Sequence, residues 1–397
     1  MTGGAVETAA TVVAALSLLA WLYLILFHGR FWRADQRLGH DAAPEAWPAV
    51  AAVVPARDEA DVVGAAVRSL LVQDYPGRYQ VFLVDDESAD GTVEAARAAA
   101  PAGRENALTV LHTEARPPGW VGKMWAVATG VAAATANQTE RPTYLLLTDA
   151  DIAHPEDGLR RLVAKAEAER LDLASLMVRL HCRGGWERLL VPAFVYFFQK
   201  LFPFPRVNDP CSPVAAAAGG CMLVRASALE TAGGIAAIRD AIIDDCALAA
   251  ALKPQGPIWL GLAEDHRSLR PYGGLARLWQ MITRSAFAQL RHSWLLLIGT
   301  VLGMTLLYLA PPVLGLWSLF AGWGFAASAG LAAWAIMAAT LTPTLRLYGR
   351  PLWEGLLLPV SGLLYTAMTV DSALAHARGR GGAWKGRVQA GRDTPVA

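Results

Sequence analysis

The sequence predicts an α/β fold with a parallel sheet, joined to apolar helices that are long enough to cross a membrane. In the first half of the chain, short apolar runs alternate with segments of helical periodicity, which is typical of a parallel sheet covered on both faces. Uncharged runs of about 20 residues, the length that spans a bilayer, occur near the start and in the last quarter. With 397 residues, the chain is long enough for two or more domains.

The composition agrees with a membrane protein. The chain is 54% hydrophobic and 17% charged and contains 14 Trp, which is more apolar than an ordinary soluble enzyme. Its formal net charge of +1 argues against nucleic acid as a partner, because nucleic-acid-binding proteins usually have a basic footprint. The four cysteines show neither a Cys-x-x-Cys pair nor a zinc-finger spacing to His. We expect free thiols in a reducing compartment, with a disulfide left open.

The first element is an uncharged run over residues 9–27, followed by Arg30 and Arg33. Its length suits one bilayer crossing, and the positive flank places its C-terminal side in the cytoplasm. A cleaved signal peptide is the alternative, but basic residues do not precede the run and no small-x-small cleavage site follows it. We therefore predict an uncleaved anchor over residues 1–30 and a linker over residues 31–48.

Alternating strands and helices follow the linker. The predicted strands are Val50–Val54, Gln80–Val84, Leu108–His112 and Tyr144–Leu147. The predicted helices cover Asp61 to Val72, a segment that begins at the capping residues Ser88 to Gly91, and about Val121 to Ala134.

Polar side chains follow three of these strands. Residues 55–59 follow the first strand, Asp85 and Asp86 follow the second, and Asp149 and Asp151 follow the fourth. Because ligands of parallel sheets bind at the carboxyl ends of the strands, we expect these three segments to form one site.

Asp149 and Asp151 point to the same side if the extended backbone continues. Two charges about 4 Å apart repel by roughly 4 kcal/mol at an effective dielectric constant near 20. A divalent cation with oxygen ligands would turn this repulsion into attraction. For an isolated Asp-x-Asp, a solvated acidic turn is the alternative interpretation.

The usual phosphate-binding loops are missing from the sequence. No G-x-G-x-x-G follows the first strand, and Gly119–Met124 lacks the Ser or Thr and the spacing of a P-loop. A nucleotide would therefore have to be held by carboxylates, a metal ion and a few basic groups.

Several segments, taken in order, resemble one known family. They are Val54–Glu59, Val84–Thr92, Thr148–Asp151, Ala218–Leu223, Asp244–Leu248 and Gln280–Arg284. Together they are similar to the inverting family 2 glycosyltransferases, whose GT-A fold binds nucleotide sugars, and the resemblance covers about residues 49–291. The layout that includes Gly119–Ala126 and the closing Trp384–Arg387 is most similar to the hopanoid-associated members.

The resemblance implies a nucleotide-sugar site. Its residues would be Pro55, Ala56, Arg57, Glu59, Asp85, Asp86, Lys123, Asp149, Gly219, Gly220, Gln280 and Arg284. The residues that follow the first two strands would hold the base and ribose, and Lys123 would approach phosphate. Most relatives have Asn at the position of Asp58. For residues 57–59, the alternative interpretation is a solvated helix start. For Lys123, it is an exposed lysine beside a glycine turn.

By the same resemblance, Asp149 and Asp151 would hold Mg²⁺ or Mn²⁺ on the diphosphate and so neutralise charge on the leaving group. Asp245 matches the catalytic base that deprotonates the acceptor hydroxyl in a single in-line displacement. Asp244 stands where relatives usually have Glu. The alternative for this acidic pair is a helix N-terminus stabilised by negative charge.

The last motif departs from the pattern of the processive relatives, which have Gln-x-x-Arg-Trp. Gln280 and Arg284 are four residues apart here, and Ser285 replaces the Trp. Residues four apart share a helix face, so Arg284 would still reach the diphosphate. The missing Trp favours the transfer of single sugars.

Two segments before the C-terminal apolar region have mixed character. Residues 186–204 combine large apolar side chains with Arg188 and Lys200, which favours an interfacial helix or a membrane-dipping hairpin. A buried core helix is the alternative. Residues 277–291 are predicted as a second interfacial helix.

Membrane helices are predicted over residues 292–375. Residues 294–323 and 325–345 contain no charge and suit two crossings. A third run, 352–374, is interrupted by Glu354, Pro359 and Asp371, which fit poorly with a lipid-exposed span.

The side of the C-terminus depends on this third run. Three crossings after a cytoplasmic domain would place the tail, residues 376–397, outside. Its basic residues Arg378, Arg380, Lys385, Arg387 and Arg392 favour the inside. The sequence therefore favours a re-entrant or interfacial third run, and a basic tail that lies outside against the charge rule is the alternative.

Taken together, we expect a multi-pass protein of a bacterial-type inner membrane whose cytoplasmic domain transfers a sugar, most simply from a UDP-sugar, to a lipid. A hopanoid acceptor rests on the resemblance alone. Two alternatives stay open: a small processive polysaccharide synthase, and a non-catalytic membrane protein that binds nucleotide sugars.

Overall fold

The structure is a computed structural model that describes residues 2–39, 41–137, 141–379, 383–384 and 387–388. Arg380, Lys385 and Arg392 of the predicted basic tail lie outside the described residues, as does Gly386 of the closing motif. The described chain divides into two compact units. An α/β unit contains residues 35–181 and 204–271, and a helical unit contains residues 2–34, 182–203 and 272–379.

Within the described residues, the α/β unit is built on an eight-stranded sheet of order β3-β2-β1-β4-β7-β6-β8-β5. Its strands are β1 (Val50–Ala56), β2 (Tyr79–Asp85), β3 (Leu108–His112), β4 (Tyr144–Leu147), β5 (Ile152–Ala153), β6 (Leu173–Arg179), β7 (Met222–Arg225) and β8 (Ile258–Ser268). Two further strands, β9 (Ala383–Trp384) and β10 (Arg387–Val388), pair with each other.

The first half of the sheet is parallel, as predicted. β1 pairs with β2 on one side and with β4 on the other, and β2 pairs with β3. The apolar runs of β1, β2 and β4 are largely buried, whereas β3 is half-buried. Burial of this kind is expected where helices cover both faces of a parallel sheet. Ala56 is in register with Asp85, so the polar segments that follow β1 and β2 leave the sheet side by side.

The second half of the sheet, for which no strands were named from the sequence, is mixed. β7 runs antiparallel to β4 and β6, and β5 runs antiparallel to β8. The register pairs Leu147 with Met222, so the turn before β7 lies beside the acidic end of β4. Antiparallel β7 therefore brings Gly219 and Gly220 to the edge where the parallel strands end.

The helices of the described residues are α1 (Thr2–Phe27), α2 (Ala60–Leu71), α3 (Thr92–Ala98), α4 (Gly122–Thr135), α5 (Gly158–Ala168), α6 (Gly185–Leu201), α7 (Phe204–Val207), α8 (Ala226–Thr231), α9 (Asp244–Leu252), α10 (Leu275–Thr283), α11 (Ala286–Gln289), α12 (Trp294–Met304), α13 (Ala310–Ala321), α14 (Gly324–Leu347) and α15 (Leu358–Ala377). A π-helical segment, Thr305–Leu309, joins α12 to α13, and a 3₁₀ segment, Leu352–Leu357, precedes α15.

Helix α4 packs closely on the sheet because it has a glycine at the contact. A Cβ on Gly130 would lie 2.5 Å from Val53 Cγ1 and 2.8 Å from Val84 Cγ2, closer than carbon atoms approach in packed interiors. This contact fixes α4 against β1 and β2. The first turn of α4, which contains Lys123, is thereby held near the carboxyl ends of the strands.

The helical unit contains helices long and apolar enough to cross a membrane. Among the described residues there are four: Gly4–Phe27, Trp294–Ala321, Gly324–Leu347 and Leu352–Ala377. Trp21 packs edge-on against Tyr308, with ring centroids 5.7 Å apart, and its Nε1 donates to Leu307 O at 2.8 Å. Exposed apolar side chains such as Leu295 and Phe320 are those expected on lipid-facing helices.

The segment predicted as an interfacial helix is α6, which belongs to the helical unit. Its residues Leu190 and Tyr196 are buried. The Tyr196 hydroxyl lies 2.8 Å from Thr340 Oγ1, and Tyr365 OH donates to Leu190 O at 2.9 Å. The predicted domain boundary at residue 291 also lies inside the helical unit.

In the third C-terminal run, the three residues that fit poorly with a membrane crossing each have a favourable local environment. Pro359 lies in the first turn of α15, where a missing N–H costs nothing. Glu354 pairs with Arg350 in an i,i+4 contact, and Asp371 Oδ2 accepts a hydrogen bond of 2.7 Å from Trp279 Nε1. Paired acids inside a helical unit remove the physical objection to a span, and the topology of this run stays a prediction.

Candidate functional site

The segments after β1 and β2 are tied to each other. The Asp86 N–H donates to Ala56 O at 2.9 Å. The Arg57 guanidinium donates to Asp86 O at 2.5 Å and lies 3.4 Å from Asp86 Oδ2. The two strand ends that were predicted to meet therefore form one edge of a site.

Asp85 presents an oxygen that nothing in the described part of the chain satisfies. Its Oδ2 accepts a hydrogen bond from Ser88 N at 3.3 Å and lies 3.4 Å from His112 Nδ1. Its Oδ1 is buried and has no hydrogen-bond partner among the described residues. A buried carboxylate oxygen without a donor is costly, so this atom is placed to accept from a ligand N–H or hydroxyl group.

The same edge contains two residues in the left-handed region. Asp58 has φ 49° and Glu87 has φ 57°, a conformation that Asp and Asn tolerate better than most residues. Asp58 Oδ1 accepts from Ala89 N at 3.1 Å, and Asp58 N donates to Ser88 Oγ at 2.9 Å. An Asn would adopt the same backbone and accept the same bond, which accounts physically for Asp at this position.

Asp151 is held by residues at the end of β8. Its Oδ2 lies 3.3 Å from Arg270 Nε and accepts from Ser268 Oγ at 3.1 Å. Arg270 also pairs with Glu59. One guanidinium thus joins the segment after β1 to the acidic segment after β4.

Lys123 lies between the other acids. Its Nζ is 2.9 Å from Asp149 Oδ1 and 3.0 Å from Asp244 Oδ2, and 22% of its side chain is exposed. Burial alone would lower the pKa of the Lys123 ammonium, but the charges of Asp149 and Asp244 raise it above its ordinary value. Lys123 is therefore a permanent cation at the junction of α4, the end of β4 and the start of α9.

Asp245 is oriented by backbone groups. Gly219 N–H donates to its Oδ2 at 2.9 Å, and Cys246 N–H donates to its Oδ1 at 2.7 Å. Burial, followed by the charge of Asp244, raises the pKa of Asp245 to about 6, although Lys123 opposes the shift. A carboxylate with this pKa is a better proton acceptor near neutral pH than an ordinary Asp.

The pKa of Asp149 is also shifted from its ordinary value. Burial raises the pKa of its carboxyl, the charges of Asp151 and Asp244 raise it further, and Lys123 lowers it. A small open cleft lies at this point. Its lining residues are Pro55, Lys123, Met124, Val127, Leu147, Thr148, Asp149, Gly219, Met222, Ile235, Ile238, Asp244 and Leu248.

The donor set of this cluster fits a divalent cation. In the described part of the chain, the five carboxyl groups of Glu59, Asp149, Asp151, Asp244 and Asp245 face the two cationic side chains of Lys123 and Arg270. The excess of carboxylate oxygens over cations is the chemistry that Mg²⁺ and Mn²⁺ prefer.

Most of the predicted site residues lie together in the α/β unit. Gln280 and Arg284 lie at α10, in the helical unit, so their contact with a diphosphate stays a prediction. Gly220 is partly exposed and packs against Val178. A Cβ on this residue would lie 2.9 Å from Val178 Cγ2, which explains why this turn needs glycine.

Sequence reasoning did not find Arg270, Ser268 or His266. The signal was present in β8, where His266 and Ser268 are buried and the intervening Arg267 is exposed. Side chains two apart on a strand share a face, so polar residues at alternate buried positions indicate internal contacts rather than a solvated face.

Comparison with known proteins agrees with this geometry. Residues 51–233 match the family described as "Glycosyl transferase family 2". This stretch begins in β1, ends after α8 and includes the acidic ends of β1, β2 and β4. No curated protein matches the chain with significant sequence similarity.

Solved structures resemble the chain in fold. A mannosyltransferase from Pyrobaculum calidifontis, PcManGT, solved in complex with GDP-Man and Mn²⁺, is 20% identical with a TM-score of 0.53; the match covers 94% of this chain and 98% of that chain. Glucosyl-3-phosphoglycerate synthase from Mycobacterium tuberculosis, solved with Mg²⁺ and uridine diphosphate, is 16% identical with a TM-score of 0.39, and the match covers 59% of this chain and 75% of that one. The first likeness supports a GT-A fold.

Proposed function

We propose that this chain, in which residues 51–233 match glycosyltransferase family 2, transfers a sugar from a nucleoside diphosphate sugar to a hydroxyl group of a membrane lipid. One observation carries the proposal: the acidic end of β4 and the acidic start of α9 converge on Lys123, at the edge where the strand ends form a cleft. This arrangement supports a diphosphate site and a general base within one unit.

The donor would bind along the strand ends. Asp85 Oδ1, buried without a partner among the described residues, would accept a hydrogen bond from the base or ribose. Arg57 and the Asp58 turn would support this edge. We take a UDP-sugar as the first donor to test and a GDP-sugar as the second.

The diphosphate would lie at Asp149, Asp151 and Lys123. When Mg²⁺ or Mn²⁺ is bound by the two aspartates, the charge that builds on the departing diphosphate is neutralised. Lys123 would contact phosphate oxygens, and Arg270 would keep Asp151 in place through their 3.3 Å contact. Both cations also limit the repulsion among the acids when no donor is bound.

Asp245 would act as the base. In an inverting transfer the acceptor hydroxyl attacks the anomeric carbon as its proton moves to the carboxylate, while the bond to the diphosphate breaks on the opposite face. Two backbone N–H groups fix the Asp245 carboxylate, so little orientation is lost in the transition state. Positioned bases of this kind contribute about 10²- to 10⁴-fold to a rate.

A lipid acceptor is supported by the four long apolar helices among the described residues. A water-soluble donor and an insoluble acceptor meet most simply at a membrane surface, where an enzyme with its own membrane helices stays concentrated. Hopanoids are one class of lipid alcohol for the test, proposed on the sequence resemblance alone. A cytoplasmic site facing the inner membrane is part of the same proposal.

The test is product identification. The full chain in detergent or in vesicles is incubated with UDP- and GDP-sugars, Mg²⁺ or Mn²⁺ and total membrane lipid, and the organic phase is examined by mass spectrometry. We expect a lipid whose mass increases by one sugar residue. A polymer would instead indicate a processive synthase, and donor binding without any transfer would indicate a non-catalytic binding protein.

A further inference from the structure

A second group of metal-ligating side chains lies in the interior of the α/β unit. His154, Cys221 and His266 are 7%, 0% and 1% exposed. Each offers one ligand atom, and these atoms lie within 4.8 Å of one another. The rings of His154 and His266 meet edge to face, with centroids 5.2 Å apart. Nitrogen and sulfur ligands distinguish this group from the carboxylates of Asp149 and Asp244 at the cleft proposed to bind the sugar donor, the donor cleft.

The ring of His266 is oriented by a carboxylate, as is common for metal-ligating histidines. Its Nδ1 lies 3.2 Å from Asp265 Oδ1, and Arg161 donates to Asp265 Oδ2 at 2.7 Å. A hydrogen bond from Nδ1–H to this carboxylate would leave the lone pair on Nε2. Ligating histidines commonly donate their other nitrogen to a carboxylate in this way.

The Nε2 lone pair of His266 is buried and has no hydrogen-bond partner among the described residues. A Cβ on Gly158 would lie only 2.8 Å from this atom, so the glycine keeps the nitrogen uncovered. Most buried polar atoms in proteins are paired. An unpaired lone pair beside a thiol and a second imidazole therefore indicates a ligand-binding site.

The other two members are also fixed. Thr148 Oγ1 lies 3.0 Å from His154 Nε2 and donates to Gly220 O at 2.7 Å, while His154 N donates to Ser69 Oγ at 3.0 Å. Cys221 is 0% exposed, so its sulfur is shielded from water. A bound cation displaces the proton of a thiol and gains a thiolate ligand.

We propose that His154, Cys221 and His266 bind a divalent transition metal of borderline softness, with zinc as the representative ion. Two imidazoles and one thiolate suit this class, whereas Mg²⁺ and Ca²⁺ prefer oxygen. The site is separate in residues and in ligand chemistry from the proposed diphosphate metal, and it does not depend on the proposed function.

The metal would join three segments that build the donor cleft. His154 follows Asp151 by three residues, Cys221 follows the Gly219-Gly220 turn, and His266 lies two residues before Ser268 on β8. Ser268 contacts Asp151, and Gly219 orients Asp245. The three ligands are therefore positioning residues that would hold the acidic segment, the turn and the strand in register.

Cobalt replacement tests the site and distinguishes it from an oxygen-ligated metal. The full chain is produced in minimal medium that contains cobalt in place of zinc, purified in detergent and analysed for metal content and optical absorption. We expect one tightly held cobalt ion per chain and an intense near-ultraviolet sulfur-to-cobalt charge-transfer band, because the cluster supplies a thiolate. Metal at the carboxylate cleft gives no such band.

Two cysteine variants locate the sulfur. Cys221→Ser should lose the band, and Cys211→Ser, which changes an exposed cysteine, should keep it. X-ray absorption of the unmodified protein provides a readout that does not depend on how the variants fold, with a sulfur neighbour expected at about 2.3 Å in the zinc form. An unmodified protein without sulfur-ligated metal, a band that persists in Cys221→Ser, or a band lost in Cys211→Ser would overturn the proposal.

Discussion

The Lys123 ammonium group lies 3.0 Å from Asp244 Oδ2 and links the first turn of α4 to the first residue of α9. The same nitrogen contacts Asp149 at 2.9 Å. Neither contact follows from the sequence alone, because residues 123, 149 and 244 lie on three separate elements. The contacts place a cation among acids that would otherwise repel one another.

Removal of the Lys123 ammonium group should lower the catalytic efficiency with the sugar donor. Lys123→Met leaves Asp149 and Asp244 without their shared partner, and charged hydrogen bonds of this kind contribute about 1.5–3 kcal/mol. We expect kcat/KM for the donor to fall about 10- to 100-fold. Lys165→Met, which removes a lysine paired with Glu169, is the control and should leave kcat/KM for the donor unchanged. Equal losses in both variants would show that Lys123 has no special place in the site.

The metal concentration that sugar transfer requires should depend on Asp151. Chelation is expected to abolish transfer, and Mn²⁺ or Mg²⁺ should restore it. In Asp151→Asn, one carboxylate ligand is lost, so the metal concentration for half-maximal activity should rise by at least about tenfold. Titration of activity with metal measures this shift. Asp61→Asn, on the exposed start of α2, should titrate like the unmodified protein, and an unshifted Asp151→Asn curve would remove Asp151 from the metal site.

Transfer should depend on pH through Asp245. Its pKa is raised to about 6 by burial and by Asp244, and a general base must be deprotonated. The rate should therefore fall as the pH drops through about 6 and level off above it. Removal of the neighbouring charge in Asp244→Asn lowers the Asp245 pKa and should move this limb to lower pH. A pH–rate profile of both proteins provides the measurement, and a shift in the opposite direction would contradict the assignment.

The close packing of α4 on the sheet should be sensitive to one methyl group. Gly130→Ala places a Cβ 2.5 Å from Val53 Cγ1, and overpacking of this kind costs about 1–3 kcal/mol. Thermal unfolding of the purified chain should show a lower melting temperature. Gly185→Ala, where an added Cβ has no atom within 4 Å, should melt like the unmodified protein.

Local patterns predicted the parts of the fold that depend on local chemistry. The apolar runs of β1, β2, β3 and β4 and the helix α4 were visible because strand burial and helical periodicity act over a few residues. The acidic strand ends were predictable as one site because parallel strands present their carboxyl ends at one edge.

Long-range pairings were not predictable. The antiparallel insertion of β7 brings the Gly219 turn beside β4, and nothing in the four residues of β7 specifies its direction. Arg270 reaches Glu59 across 211 positions, so its role is evident only once the chain has folded. Likewise, Glu354 and Asp371 looked unfavourable in an apolar run until their partners Arg350 and Trp279 were known.

The most direct test of the account is sugar transfer to lipid by the unmodified chain and by Asp245→Asn in the same vesicles, with donor binding measured in parallel. Asp240→Asn, an exposed aspartate, is the matched control. Asp245→Asn should bind donor normally but glycosylate lipid at least about 100-fold more slowly, whereas Asp240→Asn should behave like the unmodified chain. Undiminished transfer to lipid by Asp245→Asn would rule out Asp245 as the base, and an unmodified chain that glycosylates only soluble acceptors would rule out a lipid acceptor.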